Sequence, residues 1–479
     1  MRMDANHAAQ GAGINNMPRG TADFKPETYR RKVFLTFFIK KSDFGLYCRK
    51  NGLGYHIAFF QDNPHTTFRH PMKTRQTIKP RPEVQDMEPS KKPALPELAV
   101  FILFAFMITL FGLIMLYSTS FVTEGSSYFK KQLMWMVIGL IGGTGAVVIG
   151  SKRLSDWSPL MMAVLAMLLV WALFCKPING ARRWIQVGGM TLQPSELGKV
   201  VITLFMAKYL ASHTRALESE PFWKVLVPTG ACAGLVILLV LAGEDLGTTV
   251  LLGSLYLLML FVAGMRLRYI LPFAVVLPPA AVLFIKYHDA MRWKRLTVFM
   301  DAETFKATSG YQLWNSLLAL GSGGWTGVGF TESRMKLLYL PENHTDFILS
   351  IVGEELGFVT LLIVIIAYLI LVYVGLRISV KARTRQGMLI AFGMSIFIGM
   401  QALINIGVIT AAFPTKGMPA PMISYGGSNL LACLLAAACV ASVAIDSAIP
   451  DYPDKLLAWA GKRLRFGRSA APEEPGQIS

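Results

Sequence analysis

The feature that most constrains the fold is a succession of apolar segments between residues 98 and 447. A helix needs about 20 mainly apolar residues to cross the hydrocarbon core of a bilayer. Segments of that kind occur at residues 98–119, 131–150, 158–175, 195–212, 225–242, 246–264, 268–287, 347–376, 387–411 and 425–447. The polar stretch Gly243-Glu244-Asp245 divides what would otherwise be one overlong run. We therefore predict an all-α polytopic membrane protein of about ten transmembrane helices, with a long outer loop, residues 288–346, between helices 7 and 8.

The basic residues of the short loops predict the orientation, because such residues accumulate on the cytoplasmic side. Lys152, Arg266 and the basic residues of segments 208–224 and 377–385 fall on one side of the predicted bundle, together with both termini. That side is expected to be cytoplasmic, and the loops that hold Arg183, Asp245 and residues 288–346 are then outside. A miscounted helix would invert part of this topology.

Residues 1–96 differ from the rest of the chain in composition. They contain 17 Lys and Arg against 8 Asp and Glu, half of the net charge of +18. The remaining charge is what a multi-span membrane protein places in its cytoplasmic loops, so no nucleic-acid partner is predicted. We interpret residues 1–96 as a disordered, basic cytoplasmic arm that contacts anionic lipid. The alternative is that the true start lies at Met72 or Met87. Residues 451–479 are predicted to be a basic cytoplasmic tail, and residues 97–450 the membrane domain.

Ionisable residues within the predicted spans are candidates for function, because a charge at membrane depth is costly. Glu354 and Glu355 lie about two turns into the eighth span, where they need a polar partner or a water-filled chamber. Glu196 and Lys199 are three residues apart on one helical face and can form an ion pair. This pair is either structural or part of a substrate site. Asp245 precedes the sixth span, where a capping role and a substrate role are both open.

Polar and glycine-rich segments outside the spans extend this set. Arginine forks match phosphate oxygens well, and glycines at a helix start allow an anion to approach the backbone. The stretch 339–357 carries a histidine and carboxylates directly into the eighth span, and residues 414–417 and 424–429 carry the glycines. The predicted substrate-binding residues are Arg183, Glu196, Lys199, Asp245, Lys336, His344, Asp346, Glu354, Lys416 and Ser424.

Five of these segments together resemble a known family. They are Gly-Ala-Arg-Arg-Trp (180–184), Gln-Pro-Ser-Glu-Leu (193–197), Asp-Leu-Gly-Thr (245–248), Leu-Pro-Glu-Asn-His-Thr-Asp-Phe (340–347) with Glu-Glu-Leu-Gly (354–357), and Ser-Tyr-Gly-Gly-Ser (424–428). Their order and spacing resemble those of the SEDS family (RodA, FtsW and SpoVE), the ten-helix polymerases of peptidoglycan glycan strands. The resemblance covers residues 98–450. Pro414-Thr415-Lys416-Gly417 is more similar to the division branch, FtsW, than to the elongation branch.

The resemblance implies an inverting glycosyltransferase that uses lipid II at the outer face of the cytoplasmic membrane, at the division septum. It implies a nascent glycan strand, a class B penicillin-binding transpeptidase and other divisome membrane proteins as partners. It implies no resident cofactor, with a divalent cation at the diphosphate as an open alternative. Three other functions stay open: a lipid II flippase, an elongation-type polymerase, and an inactive scaffold of the division machinery.

The chain departs from the family pattern at one position. Family members carry a loop aspartate a few residues before a Gly-x-Gly-Tyr-Gln motif. Aligning on Ser309-Gly310-Tyr311-Gln312 without gaps puts Phe305 at that aspartate. The carboxylates nearest to this position are Asp301 and Glu303. We therefore predict Asp301 as the general base, and Glu303 as the second choice.

Overall fold

The computed structural model describes residues 49–51, 54–56 and 93–456, without residues 179, 189, 215, 216, 218–221, 289–292, 294, 295, 338 and 416. The predictions for the arm, apart from a few residues, for the tail beyond residue 456 and for Lys416 lie outside the described residues. The chain divides into two units, residues 1–81 and 82–479. In the first unit, strands β1 (Arg49–Asn51) and β2 (Gly54–His56) pair as an antiparallel hairpin.

The second unit is helical, and each of the ten predicted spans is a helix within a few residues of its predicted bounds. Two short helices are also present: α3 follows α2 after one residue, and α9 lies in the outer loop. The described helices are α1 (Leu95–Glu124), α2 (Ser127–Ile149), α3 (Ser151–Asp156), α4 (Ser158–Phe174), α5 (Pro194–Ser212), α6 (Trp223–Ala242), α7 (Leu246–Val262), α8 (Leu267–His288), α9 (Tyr311–Ser322), α10 (Ile348–Val380), α11 (Arg385–Ile409) and α12 (Gly427–Ala448). A second hairpin, β3 (Ile185–Val187) and β4 (Met190–Leu192), precedes α5.

Among the described helices, α1, α2, α6, α10, α11 and α12 are long and apolar enough to cross a membrane. Helices α4 and α7 and the first part of α8 are apolar but shorter. Exposed large hydrophobic side chains cover α1, α2, α4 and α10, as expected of surfaces that face lipid. Helix α5 packs against α4, α7, α11 and α12, which places Glu196 and Lys199 inside the bundle. The chain is thus a multi-pass membrane protein.

Helix α10 is interrupted at Gly357, whose φ of 78° and ψ of 178° are not helical. Segment 324–329 of the outer loop takes over the main-chain hydrogen bonds there. The amides of Val328 and Gly329 donate to the carbonyls of Glu354 and Glu355 (both 3.0 Å). The amides of Phe358 and Val359, which would reach those carbonyls in an unbroken helix, donate instead to the carbonyls of residues 324 and 325. The outer loop is therefore fixed to the eighth span by backbone pairing.

Candidate functional site

The N-terminal ends of helices α5, α7 and α12 meet in one polar region. The Gln193 amide, just before α5, donates to the Ser428 hydroxyl in the first turn of α12 (2.9 Å). The Gln193 side chain donates to Asp245 Oδ2, just before α7 (2.8 Å). A helix N-terminus carries partial positive charge and unpaired N–H groups. Three such ends together make the region favourable for an anion.

Asp245 is both a helix cap and an ion-pair partner. Its Oδ1 accepts a hydrogen bond from the Thr248 amide (3.1 Å), the capping role that sequence analysis left open. Its Oδ2 also accepts from the Ser195 hydroxyl (3.1 Å). Arg183 Nη1 lies 3.6 Å from Oδ1. These hydrogen bonds hold the buried Asp245 carboxylate in place. Its ion pair with Arg183 in turn positions the guanidinium.

The predicted Glu196–Lys199 ion pair is present, at 2.7 Å, with Lys199 completely buried. Lys199 Nζ also donates to Gln401 Oε1 (2.7 Å), and Gln401 Nε2 donates to Asn429 Oδ1 (2.7 Å). This network joins α5, α11 and α12 below the region where the helix ends meet. A buried charge is tolerated only with such pairing and hydrogen bonding.

Asn405, one turn beyond Gln401 on α11, holds two loops together. Its Nδ2 donates to the main-chain carbonyls of Asp346 and Met418 (both 2.8 Å). The segment before α10 and the segment between α11 and α12 are thereby joined. A Cβ added at Gly417 would lie 3.0 Å from Asp346 Oδ2 and 3.7 Å from Arg183 Nη2. The carboxylate and the guanidinium therefore flank the same glycine.

We call the group Arg183, Gln193, Ser195, Asp245, Asp346, Gly417 and Ser428 the polar junction. Two of its charged side chains are partly exposed: that of Arg183, which is 25% exposed, and that of Asp346. The buried Nε of Arg183 has no hydrogen-bond partner among the described residues. The pKa of the Asp346 carboxyl is raised to about 7, chiefly because the surrounding protein removes it from water and also because of the nearby Glu342 carboxylate, while Arg183 opposes the change.

His344 and Ser424 hold the loops that neighbour the polar junction. The His344 ring stacks on Tyr128 (centroids 4.7 Å apart), and Tyr128 in turn contacts Tyr425 (4.6 Å). The Tyr425 amide donates to the His344 carbonyl (2.9 Å). The Ser424 hydroxyl accepts from the Ala420 amide (2.8 Å). These contacts set the backbone on which Asp346 is carried.

Lys336 and Glu355 form a second buried cluster with Ser118 of α1. Lys336 Nζ contacts Glu355 Oε1 (2.8 Å), the Thr331 carbonyl (2.6 Å) and the Ser118 hydroxyl (3.2 Å). The Ser118 hydroxyl also contacts both Glu355 oxygens. Glu355 thus has the polar partner that its sequence position requires. Lys336, predicted to bind substrate, is 2% exposed and has these three partners.

Glu354 also finds its partners in the outer loop. Its carboxylate accepts from the Ser333 hydroxyl, from the Arg334 amide (3.0 Å) and from the Met335 amide (3.4 Å). The two adjacent carboxylates therefore anchor the loop segment 331–336 against α10. The structure shows Lys336 and Glu354 in contact with other residues of the protein. Their contacts with substrate stay predictions.

Asp301 and Glu303 lie in a series of turns that precedes α9, and both are exposed. Asp301 Oδ2 accepts from the Thr304 hydroxyl (2.6 Å) and its Oδ1 from the Thr304 amide (3.3 Å). This carboxylate closes its own turn. The described contacts do not join either residue to the polar junction.

Sequence reasoning missed Gln401, Ser118 and Tyr128, which connect the candidate residues. Gln401 and Asn405 are polar residues one turn apart in an otherwise apolar span, a pattern that predicts one polar face. Ser118 and Tyr128 carry no such signal, because single hydroxyl groups are common in helices. No cluster of His, Cys, Asp or Glu able to hold a metal occurs among the described residues. The divalent cation therefore stays a prediction.

Comparison with known proteins agrees with this architecture. A family model described as a cell cycle protein, which covers FtsW, RodA and SpoVE, matches residues 98–448. A protein of Geobacter sp. (strain M18) named "probable peptidoglycan glycosyltransferase FtsW" is 35% identical over 346 residues, 70% of this chain and 93% of that protein. A protein of the same name from Dichelobacter nodosus is 40% identical over 290 residues, 60% of this chain and 72% of that protein.

Two solved structures share the fold. The rod shape determining protein RodA of Thermus thermophilus is 24% identical, with a TM-score of 0.54 and coverage of 72% of this chain and 96% of that one. A subunit of a peptidoglycan synthase complex that coordinates polymerisation and crosslinking is 23% identical, with a TM-score of 0.60 and coverage of 73% and 98%. The helical arrangement described above is thus similar to theirs.

Proposed function

This chain belongs to the FtsW/RodA/SpoVE family of cell cycle proteins, and we propose that it polymerises lipid II into peptidoglycan glycan strands at the outer face of the cytoplasmic membrane during septal wall synthesis. It is accordingly a peptidoglycan glycosyltransferase, as its curated relatives are named. The proposal places both termini in the cytoplasm and the outer loop outside. A class B penicillin-binding transpeptidase and further divisome membrane proteins are its proposed partners.

The observation that carries this function is the polar junction itself. A diphosphate leaving group needs cationic donors, and Arg183 has a buried Nε–H without a partner among the described residues. The N-terminal ends of α5, α7 and α12 add oriented N–H dipoles beside it. Such preorganised donors stabilise the charge that develops on the departing diphosphate.

The proposed reaction joins an acceptor sugar to a donor on a lipid. The 4-hydroxyl oxygen of the acceptor GlcNAc attacks the anomeric carbon of a MurNAc that is held on undecaprenyl diphosphate. The bond from that carbon to the diphosphate oxygen breaks, and the diphosphate leaves with the electron pair. A carboxylate must accept the hydroxyl proton. The candidates are Asp301 and Glu303 on the outer loop and Asp346 in the polar junction.

The flippase hypothesis is less well supported by the contacts. A transport path through the bundle needs charged residues that line an open route. Glu196 and Lys199, however, are paired with each other deep in the bundle, and Glu354 and Glu355 anchor the outer loop. These groups serve as structural links in this arrangement.

The test is polymerisation of purified lipid II by the purified protein with its cognate class B transpeptidase. Moenomycin is present to suppress unrelated polymerases. We expect a ladder of glycan strands on a gel. A folded complex that gives no polymer, while the peptidoglycan synthase complex that shares this fold does so under the same conditions, would exclude the polymerase function.

A further inference from the structure

Three carboxylates lie in or beside the polar junction, and their hydrogen bonding differs. Asp245 accepts from Gln193, Ser195 and the Thr248 amide, and Glu196 accepts from Lys199. The Asp346 carboxylate accepts no hydrogen bond from any residue that the structure describes. A partly buried carboxylate without a donor is free to accept a proton from a bound substrate.

The backbone that carries Asp346 is held from two sides. Its main-chain carbonyl accepts from Asn405 Nδ2 (2.8 Å), and the carbonyl of His344, two residues earlier, accepts from the Tyr425 amide (2.9 Å). A base acts efficiently when its position is fixed by such contacts. The segment that precedes α10 therefore holds the Asp346 side chain in a fixed position.

Asp346 lies near Arg183, the cation of the proposed diphosphate site. Gly417 has no side chain, and a Cβ there would lie 3.0 Å from Asp346 Oδ2 and 3.7 Å from Arg183 Nη2. The glycine thus lets the backbone pack closely against the carboxylate, with the guanidinium on its other side. In an inverting displacement the acceptor hydroxyl attacks the anomeric carbon from the face opposite the leaving diphosphate, so the base and the cation that stabilises the diphosphate must lie on either side of that carbon.

Resting on the proposed function, we propose that Asp346 is the general base of this polymerase, in the role that Phe305 cannot fill. One Asp346 oxygen takes the proton of the acceptor 4-hydroxyl while the hydroxyl oxygen bonds to the anomeric carbon. The electron pair of the broken bond leaves on the diphosphate oxygen beside Arg183. The proton on Asp346 then passes to water, which restores the carboxylate.

The protonation behaviour of Asp346 suits this role. A base whose pKa is near the working pH is ionised in a useful fraction of molecules and still has a high affinity for the proton. Burial raises the pKa of Asp346 to about 7. Among the described residues, the charged groups that face it are Glu342, Asp245 and Glu196, which raise the pKa, and Arg183, which lowers it. Asp301, by contrast, is exposed and engaged with Thr304.

The first test is Asp346→Asn in the complex with its transpeptidase. The amide keeps the shape and the main-chain bond to Asn405 but cannot take the proton. We expect kcat to fall about 10²- to 10⁴-fold, the usual contribution of a general base, with KM within a few fold. Glu332→Gln, an exposed carboxylate of the same outer loop, is the matched control and should match the wild type.

The second test uses the pH profile and does not depend on that variant folding. The wild-type kcat/KM should rise with pH and level off above about 7. Glu342→Gln removes a neighbouring negative charge, lowers the pKa of Asp346 and shifts the rising limb to lower pH. A structural role for Asp346 would leave that limb in place.

The outcomes separate this inference from the proposed function. No polymer from the wild type would contradict the proposed function itself. An active wild type with Asp346→Asn within about threefold of it would overturn the assignment of the base. If Glu342→Gln does not shift the rising limb of the kcat/KM pH profile, the assignment of the base is overturned as well. Loss of turnover with retained lipid II binding, together with the shifted limb, supports it.

Discussion

Lys336 and Glu355 form an ion pair of 2.8 Å in which both side chains are almost completely buried, joining the outer loop to α10. Ser118 of α1 contacts both partners. Removing one member of a buried pair is costly because it leaves the other charge unpaired. The pair therefore helps to hold the outer loop against α10.

We predict that Lys336→Met destabilises the protein by about 3–5 kcal/mol, the usual cost of leaving a buried charge without its partner. The double variant Lys336→Met, Glu355→Gln should recover part of that loss. Thermal unfolding in detergent measures both, with Lys131→Met, an exposed lysine of α2, as the control. If Lys336→Met unfolds like the wild type but raises KM for lipid II, the substrate role predicted from the sequence is correct instead.

Arg183→Ala is predicted to lower kcat/KM for lipid II about 10- to 150-fold. A charge-assisted hydrogen bond contributes roughly 1.5–3 kcal/mol, and each 1.4 kcal/mol is a factor of ten. The neighbouring Arg182 is exposed, so Arg182→Ala is the matched control and should have little effect. Equal losses in both variants would show general attraction of the anionic lipid rather than a contact made by Arg183.

The backbone pairing at the break in α10 predicts that Gly327→Ala loosens the outer loop. A Cβ there would lie 2.1 Å from the Glu355 carbonyl oxygen, and its φ of 84° is strained for alanine. Gly145 in α2 has nothing within 4 Å of an added Cβ. We expect faster hydrogen exchange across residues 324–337 in Gly327→Ala only. Gly145→Ala should be neutral or slightly stabilising.

The sequence predicted the helices well and the loops poorly, for physical reasons. A long apolar run predicts a helix, so each of the ten predicted spans is a helix, and six of the described helices are long and apolar enough to cross a membrane. The Glu196–Lys199 pair follows from helical spacing alone. The Lys336–Glu355 pair and the pairing at Gly357 join residues that meet only when the outer loop folds back onto α10. Gly357 by itself did not predict a break, because isolated glycines are tolerated in helices.

The raised pKa of Asp346 also predicts how stability varies with pH. Its pKa is about 7 in the folded protein and about 3.8 ordinarily. Between about pH 4 and pH 7 the folded protein holds a proton that the unfolded chain has lost, so this group makes stability fall as pH rises through that window. In Asp346→Asn, thermal unfolding should show a smaller loss of stability between pH 5 and pH 8 than the wild type. An unchanged loss would mean that other groups cause it.

Phe305→Asp tests whether the outer loop can supply the base that the family pattern places there. The turn at Phe305 is held through its main-chain carbonyl, which accepts from the amides of Thr308 and Gly310 (both 3.0 Å). The side chain can therefore change without loss of the turn. In the wild-type background we expect Phe305→Asp to be tolerated or mildly activating. In Asp346→Asn it should restore part of the lost kcat if the loop carboxylate reaches the same hydroxyl.

Comparison with Asp301→Ala and Glu303→Ala completes this experiment, because sequence analysis predicted that Asp301 is the base. A loop base requires Asp301→Ala to abolish polymerisation, and Phe305→Asp should then rescue Asp301→Ala. If Asp346 is the base, Asp346→Asn must lose more polymerisation activity than Asp301→Ala. The Asp301 carboxylate is exposed to water and already closes its own turn, so its removal should cost less activity. Polymerisation rates of the single variants and of the two Phe305→Asp double variants, measured at pH 8, show which carboxylate takes the proton.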